Sequence, residues 1–383
     1  MKFAASREHL AASVVRVLLL PLVLAALVAP VTAAGAPRKT KNVFLITTDG
    51  LRWQEVFTGA EELLLNKTNG GVVNATALRK DFWRDTPEAR REALLPFLWS
   101  EVAVRGQLFG NQHRGSTARV TNARFFSYPG YSEFLTGVAD PRMDSNAKRP
   151  NPNTNVFEWL NLQPAYAGRV AAVANWDVIP WILNVERSKL PVWTGFPLPK
   201  GAPETLRVSP ALEQLLRNTT PLWDNMILDS FTHQAALDYI KSSKPRAFYI
   251  AYGETDEWAH ESRYDHYLRS ARNVDHYLRT LWETVQAMPE YRDQTTFIIT
   301  TDHGRGTGPT GWKNHGASVA PAEFIWLVVL GPDTPPLGER NTGANLTQSQ
   351  VAATIAALFG EDYHAAFPQS GAPIADVLGK VGR

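Results

Sequence analysis

Apolar residues in this chain fall into short, dense runs that stop abruptly at polar or glycine-bearing segments. Residues 42–48 (N-V-F-L-I-T-T) form such a run and end at Asp49-Gly50. Residues 169–175, 247–252 and 296–301 repeat the pattern, and a fifth run, 324–330, ends at Gly331-Pro332. Runs of this length, rich in β-branched residues and lacking strict alternation, predict strands buried on both faces. Between them lie helical patterns at 88–104, 234–241 and 264–285. In the last, Leu268, Ala271, Val274, Leu278, Leu281 and Val285 recur every three or four residues, the spacing of one buried helix face. Strands alternating with helices predict an α/β domain over residues 42–375, with a mostly parallel central sheet flanked by helices on both faces. Residues 184–225 are rich in Pro, Trp and polar residues without a clear period, and read as a small insertion or cap. Residues 348–359 read as an amphipathic helix, and the chain beyond Phe367 as peripheral.

The first 33 residues differ from all of this. Lys2, Arg7 and Arg16 precede an apolar stretch from Val17 to Val31, followed by V-T-A-A-G-A. Charged, apolar and small residues in that order predict a secretory signal peptide cleaved after Ala33 or Ala34, and hence an exported, periplasmic or secreted protein. The apolar run is short for a membrane span and contains Pro21 and Pro30, which argues against an uncleaved anchor. No later stretch is long and apolar enough to span, so no stable membrane span is expected after cleavage.

Charge and cysteine content narrow the chemistry. Removing the three basic and one acidic residue of this leader from totals of 39 and 37 leaves 36 of each. A neutral body without a basic run argues against a nucleic acid polymer as partner. There is no cysteine among the 383 residues, which excludes disulfides, thiolate metal sites and cysteine nucleophiles.

Polar residues concentrate where the strands end. Asp49 follows the first, Asp256 and His260 follow the third, and Asp302-His303 the fourth; His315 lies a glycine-rich loop later. Singly, each has an ordinary explanation as a helix cap, turn residue or surface histidine. Together, three Asp and three His at the carboxyl ends of strands, where open α/β sheets bind ligands, are two sets of oxygen and nitrogen donors. Such donors suit two divalent ions in catalytic sites, Zn²⁺ ahead of Mn²⁺. Ser127, in F-F-S-Y-P-G-Y-S-E-F-L-T-G (residues 125–137), stands just before a proline and a helix-like segment. There, backbone N–H groups and the helix dipole favour an oxyanion. Ser132 is the rival hydroxyl, inside the helix, and an N-cap role is the alternative for Ser127.

These motifs together resemble the alkaline phosphatase superfamily, especially its type I phosphodiesterase/nucleotide pyrophosphatase branch. Asp49-Gly50 matches a first-strand Asp-Gly, and Ser127-Tyr128-Pro129 through Thr136-Gly137 matches a hydroxyl-aromatic-Pro motif of the same length. Glu254 to His260 matches Glu-x-Asp-x-x-x-His, Asp302 to Gly304 matches Asp-His-Gly, and His315-Gly316 the final His-Gly. The resemblance runs from about residue 42 to 360 and implies one metal held by Asp256, His260 and His315. It implies a second held by Asp49, Asp302 and His303, with Ser127 bridging towards it and forming a phosphoseryl intermediate on a small-molecule phosphoester. Serine stands where that branch usually has threonine. The branch's phosphoryl-contacting Asn could be Asn146, Asn151 or Asn153. Sulfatases share the fold but mature a Cys or Ser in C/S-x-P-x-R to formylglycine, and Tyr131 stands here in place of Arg. A sulfatase-like hydrolase and a catalytically inactive metal-bound binding protein are the alternatives. Trp53, Trp258 and Trp312 adjoin expected ligands and could stack a nucleotide-like leaving group. With twelve Trp in the chain, chance neighbours are the preferred explanation.

Overall fold

The computed structural model describes residues 1, 38–204 and 206–379. The expected signal peptide, beyond its first residue, lies outside the described residues.

Eleven strands are described: β1 Asn42–Thr48, β2 Gln107–Phe109, β3 Thr117–Arg119, β4 Val170–Ala174, β5 Val192–Trp193, β6 Ala247–Tyr252, β7 Thr295–Thr300, β8 Phe324–Ile325, β9 Leu327–Leu330, β10 Gly338–Glu339 and β11 Asn345–Thr347. The main sheet runs β10-β2-β9-β7-β1-β6-β4-β5, and a small sheet runs β11-β3-β8. From β7 to β5 every pairing is parallel; β9 alone runs against both its neighbours, β7 and β2. The fold is therefore the expected α/β architecture with a mostly parallel sheet.

Both faces of that sheet are covered, which explains the unalternated strands. Alternate side chains point to opposite faces. Phe44, Ile46, Phe248, Ile250, Phe297 and Ile299 join one core cluster, beneath the Tyr264–Ala287 helix. Val43, Leu45, Ala247, Tyr249 and Ile298 join the other, with residues of the Ser127–Thr136 and Val351–Phe359 helices. All six stripe residues of the Tyr264–Ala287 helix are buried, from Leu268 to Val285.

Several expectations need correction. The helix expected over 88–104 breaks: Pro87–Leu94 ends at Leu95, the residue before Pro96, whose ring disfavours helical backbone behind it. A π turn, Leu98–Val102, and a short helix follow. The 234–241 helix is longer, Asp229–Ser243, because its first turn buries Asp229, Thr232 and His233 and so hides its period. The run 324–330 is two strands in different sheets, divided at Trp326, whose indole N–H donates to Leu51 O at 2.8 Å. Residues 184–225 are not wholly outside the sheet, since Val192–Trp193 pairs in parallel with β4 at its edge. The Val351–Phe359 helix is apolar and buried nearly all round rather than amphipathic, and the tail beyond Phe367 buries Ile374 and Val377. Among the described residues no helix is long and apolar enough to cross a membrane.

Candidate metal centre and nucleophile

Parallel strands deliver their carboxyl ends to one edge. At that edge β1 leads into Asp49, β7 into Asp302-His303, β6 into the Glu254–His260 helix carrying Asp256 and His260, and β4 into Asn175. The Ser127–Thr136 helix begins there with Ser127 as its first residue. Ser127, Asp49, Asp256, His260 and His315 line one cavity of about 150 Å³ with Asn146 and Asn175.

His303 Nε2 is 3.2 Å from Asp49 Oδ1, 3.4 Å from Asp302 Oδ2 and 3.8 Å from Asp256 Oδ1. His315 Nε2 is 3.7 Å from Asp256 Oδ1 and 3.0 Å from His260 Nε2, which lies 3.2 Å from Asp256 Oδ2. Two groups are tight enough to share an ion: Asp49, Asp302 and His303, and Asp256, His303 and His315. His303 thus stands between the two sets, and His260, with its side chain 41% exposed, closes the second from the rim.

The donors are aimed and otherwise unused. Asp49 Oδ1, Asp302 Oδ2 and His303 Nε2 are buried without a hydrogen-bond partner. Burial of such groups is costly unless something compensates them. Their outer atoms are occupied: Tyr131 OH donates to Asp49 Oδ2 at 3.0 Å, and Gly50 N to Asp302 Oδ1 at 3.1 Å. His303 Nδ1 contacts Gly304 O at 2.9 Å and His315 Nδ1 contacts Phe125 O at 3.2 Å, so both rings can present Nε2 inward. Burial, then the neighbouring Asp256, raises Asp49 well above the usual carboxylate range; burial and Asp49 do the same to Asp302. Carboxyls crowded in this way ionise together only beside added positive charge. The orphaned atoms, the mixed N/O donors and this crowding fit divalent cations.

Arg305 was not expected from the sequence. Its guanidinium is 1% exposed and ion-pairs with Asp256 through Nη1. Nε and Nη2 donate to Trp312 O and Lys313 O, which anchors the loop leading to His315. Burial pushes Asp256 up, but Arg305, His315 and His260 outweigh it and hold the carboxyl well below its usual range. The available signal was its position directly after Asp-His-Gly. Gly50 sits at φ 59°, and a Cβ there would lie 2.5 Å from Asp256 Oδ1 and 2.7 Å from Arg305 Nη1, so only glycine fits.

The three Asn positions lie in different surroundings. Asn146 lines the cavity and its Oδ1 accepts from Tyr128 N at 3.0 Å, leaving the amide nitrogen as its donor. Asn151 is buried, donating to Ser132 Oγ at 2.9 Å, and Asn153 is tied to Asp140 at 2.7 Å. Ser132 therefore has a packing partner inside the helix. Trp312 is fully buried against Tyr264 and Tyr267, and Trp53 packs on His113; neither lines the cavity. Trp258, partly exposed, meets Trp223 edge-on at 4.9 Å.

A mostly parallel sheet with acidic and imidazole donors clustered at its carboxyl edge is the arrangement of the alkaline phosphatase superfamily hydrolases, to which the family match assigns the chain. The family model Sulfatase matches residues 41–361, and the chain belongs to that family. No curated protein sequence matches it. Among solved structures it is similar to wild-type alkaline phosphatase PafA (11% identity, 90% of this chain and 99% of that one, TM-score 0.58). It is also similar to Ps i-CgsB in complex with k-i-k-neocarrahexaose (15%, 87% and 75%, TM-score 0.52). A third is murine ectonucleotide pyrophosphatase/phosphodiesterase 5, in an inactive form with AMP (10%, 84% and 96%, TM-score 0.50). These likenesses establish the fold, and the phosphodiesterase branch is one of several that share it.

Proposed function

We propose that the protein is an exported hydrolase of small-molecule phosphate esters, using two divalent ions and an unmodified Ser127 as nucleophile. The observation that carries this reading is Ser127 at a helix N-terminus, with Tyr131 rather than Arg four residues on. Tyr131 is buried and spends its hydroxyl on Asp49, so that position serves the ligand set and not the maturation signal of a sulfatase.

Asp49, Asp302 and His303 would hold one ion, and Asp256, His260 and His315 the other, with His303 close enough to both to fix their separation. Such ions, when bound, neutralise charge on the reacting ester and lower the pKa of oxygens beside them. The chain's own groups do the rest. The amide nitrogen of Asn146 and the backbone N–H of Ser127, at the start of its helix, orient the ester's anionic oxygens. Ser127 loses its hydroxyl proton as the Oγ–P bond forms and the ester O–P bond breaks, and the leaving alkoxide takes up a proton. Water then cleaves the Ser127 Oγ–P bond and restores the serine. Two dications outweigh the three carboxylates by one charge, and buried Arg305 adds another. An excess of positive charge suits a doubly charged phosphate monoester better than a singly charged sulfate ester.

Sulfate ester hydrolysis is the second reading, favoured by the family model over residues 41–361. The test is turnover of para-nitrophenyl phosphate, bis-para-nitrophenyl phosphate and para-nitrophenyl sulfate by purified protein, with and without chelator. Chelator-sensitive cleavage of a phosphate substrate is expected. Cleavage of the sulfate alone would establish the second reading, and loss of all turnover in metal-loaded protein would leave a binding protein. Ion identity follows from elemental analysis, with Zn²⁺ expected ahead of Mn²⁺. Export rests on the charged, apolar and small order of residues 1–33, and a mature N-terminus at residue 34 or 35 is the expected result.

A further inference from the structure

Beside the catalytic cavity lies a second, larger and more apolar one of about 350 Å³, within the size range of small-molecule sites, roughly 300–1,000 Å³. Its walls include Phe196, Leu216, Trp223, Met226, Ile227 and Phe231. Gly195-Phe196 lies just past the carboxyl end of β5, which runs parallel to β4, so this cavity opens at the same edge as the metal-ligand cluster.

The two cavities share a wall. Residues 225–227 form a short antiparallel pairing with 175–177: Asp177 N donates to Asn225 O at 3.0 Å and Ile227 N to Asn175 O at 2.9 Å, with Met226 opposite Trp176. Asn175, Trp176 and Asn225 line the catalytic cavity, Ile227 lines the apolar one, and Met226 lines both. The Met226 thioether lies against Gly253, at the end of β6, where an added Cβ would come 2.9 Å from Sδ. An unbranched, polarizable side chain is a wall that can shift to admit a ligand. At the rim Leu222 leaves 57% of its surface exposed, next to Trp223 in the lining. Trp223 in this wall meets Trp258, which rides on the helix carrying Asp256 and His260.

We propose that this cavity is the leaving-group subsite and takes the apolar, ring-sized alcohol portion of the ester whose anionic head sits at Ser127. The proposal rests on the ester-hydrolase reading above and adds to it the class of alcohol. A sugar would demand polar partners throughout, whereas most of this lining is aliphatic and aromatic, with Arg217, Thr219, Thr220 and Asp224 as its polar members.

The test uses metal-loaded protein, naphthyl and ethyl esters of whichever anion is cleaved, and the variants Leu216→Asp and Phe196→Asn at partly exposed positions. Comparing each variant's naphthyl-to-ethyl ratio of kcat/KM with the wild-type ratio cancels the intrinsic reactivities of the two esters. The ratio should fall on the order of 10- to 100-fold in both variants while ethyl ester turnover stays near wild type. Free naphthol, followed by calorimetry, should bind wild type and Ser127→Ala alike and bind Leu216→Asp about tenfold more weakly. Naphthol binding with no ester cleaved would uphold the subsite and sink the catalytic reading. An unchanged ratio, or naphthol binding indifferent to Leu216→Asp, would overturn the subsite itself. A sugar ester preferred over the naphthyl ester, with that preference removed by the same variants, would overturn the apolar assignment.

Discussion

Glu133 offers a sharp test of how the surroundings of the proposed nucleophile are held. It lies on the Ser127–Thr136 helix, is fully buried, and accepts from Thr121 N (3.0 Å), Thr121 Oγ1 (2.7 Å), Asn122 N and Asn122 Nδ2 (both 3.0 Å). Asn122 in turn accepts from Arg124 N and Phe125 N. Phe125 is held at φ 54°, a strained conformation for an aromatic residue, and its carbonyl faces His315 Nδ1. Burial outweighs the donors and pushes the Glu133 carboxyl up from 4.5 to about 7. A raised acid pKa means that the folded protein keeps a proton that the unfolded chain releases. Its contribution to stability is therefore full below 4.5 and is lost as pH rises through about 7. The span of about 2.5 units at roughly 1.4 kcal/mol each makes that loss about 3 kcal/mol. Glu133→Gln cannot ionise and escapes it. Urea unfolding from about pH 5 to about pH 8, followed by circular dichroism, should show the variant gaining about 2.5 kcal/mol on wild type across the range. A difference that does not change with pH would refute the reasoning, because the four donors would then be holding an ionised carboxylate throughout.

Three further outcomes follow from the geometry. Tyr131→Phe removes the hydroxyl that orients Asp49, and should weaken divalent-ion retention about 10- to 100-fold in a chelator titration, with the fold intact. Ser132→Ala leaves Asn151 Nδ2 without its buried partner, and should lower stability by about 1–3 kcal/mol while kcat stays within about twofold. His233 is pressed down to about 3, first by burial and then by His276, so its contribution is full above 6.5 and is lost as pH falls towards 3. At about pH 5 the loss is about 2 kcal/mol, and His233→Gln should flatten the acid side of the stability profile by that amount.

Much of the strand pattern was legible in the sequence, and so was the gathering of the expected ligand residues at one sheet edge. Strands buried on both faces announce themselves as unbroken apolar runs, so β1 and β6 appear with their observed bounds. Each polar residue that ends such a run lies at the sheet edge. The misses have physical causes. Pro96 interrupts a pattern that periodicity alone reads as continuous, and the first turn of the Asp229–Ser243 helix is polar yet buried. There Asp229 accepts from Gly253 N and Asn175 Nδ2 and so braces the approach to Asp256. Arg305 and Tyr131 act through contacts with Asp256 and Asp49, which lie 49 and 82 positions away along the chain respectively. No local spacing reports such contacts. The differing surroundings of Asn146, Asn151 and Asn153 likewise show only in three dimensions, since all three lie in one polar loop.

The central claim is that an unmodified Ser127 attacks a phosphate ester. Peptide mass analysis of residue 127, on protein quenched in acid during turnover of a slow aryl phosphate, tests it most directly. The account predicts serine before turnover and phosphoserine at that position in the quenched sample. Formylglycine at 127, or phosphate on Ser132 instead, would contradict it.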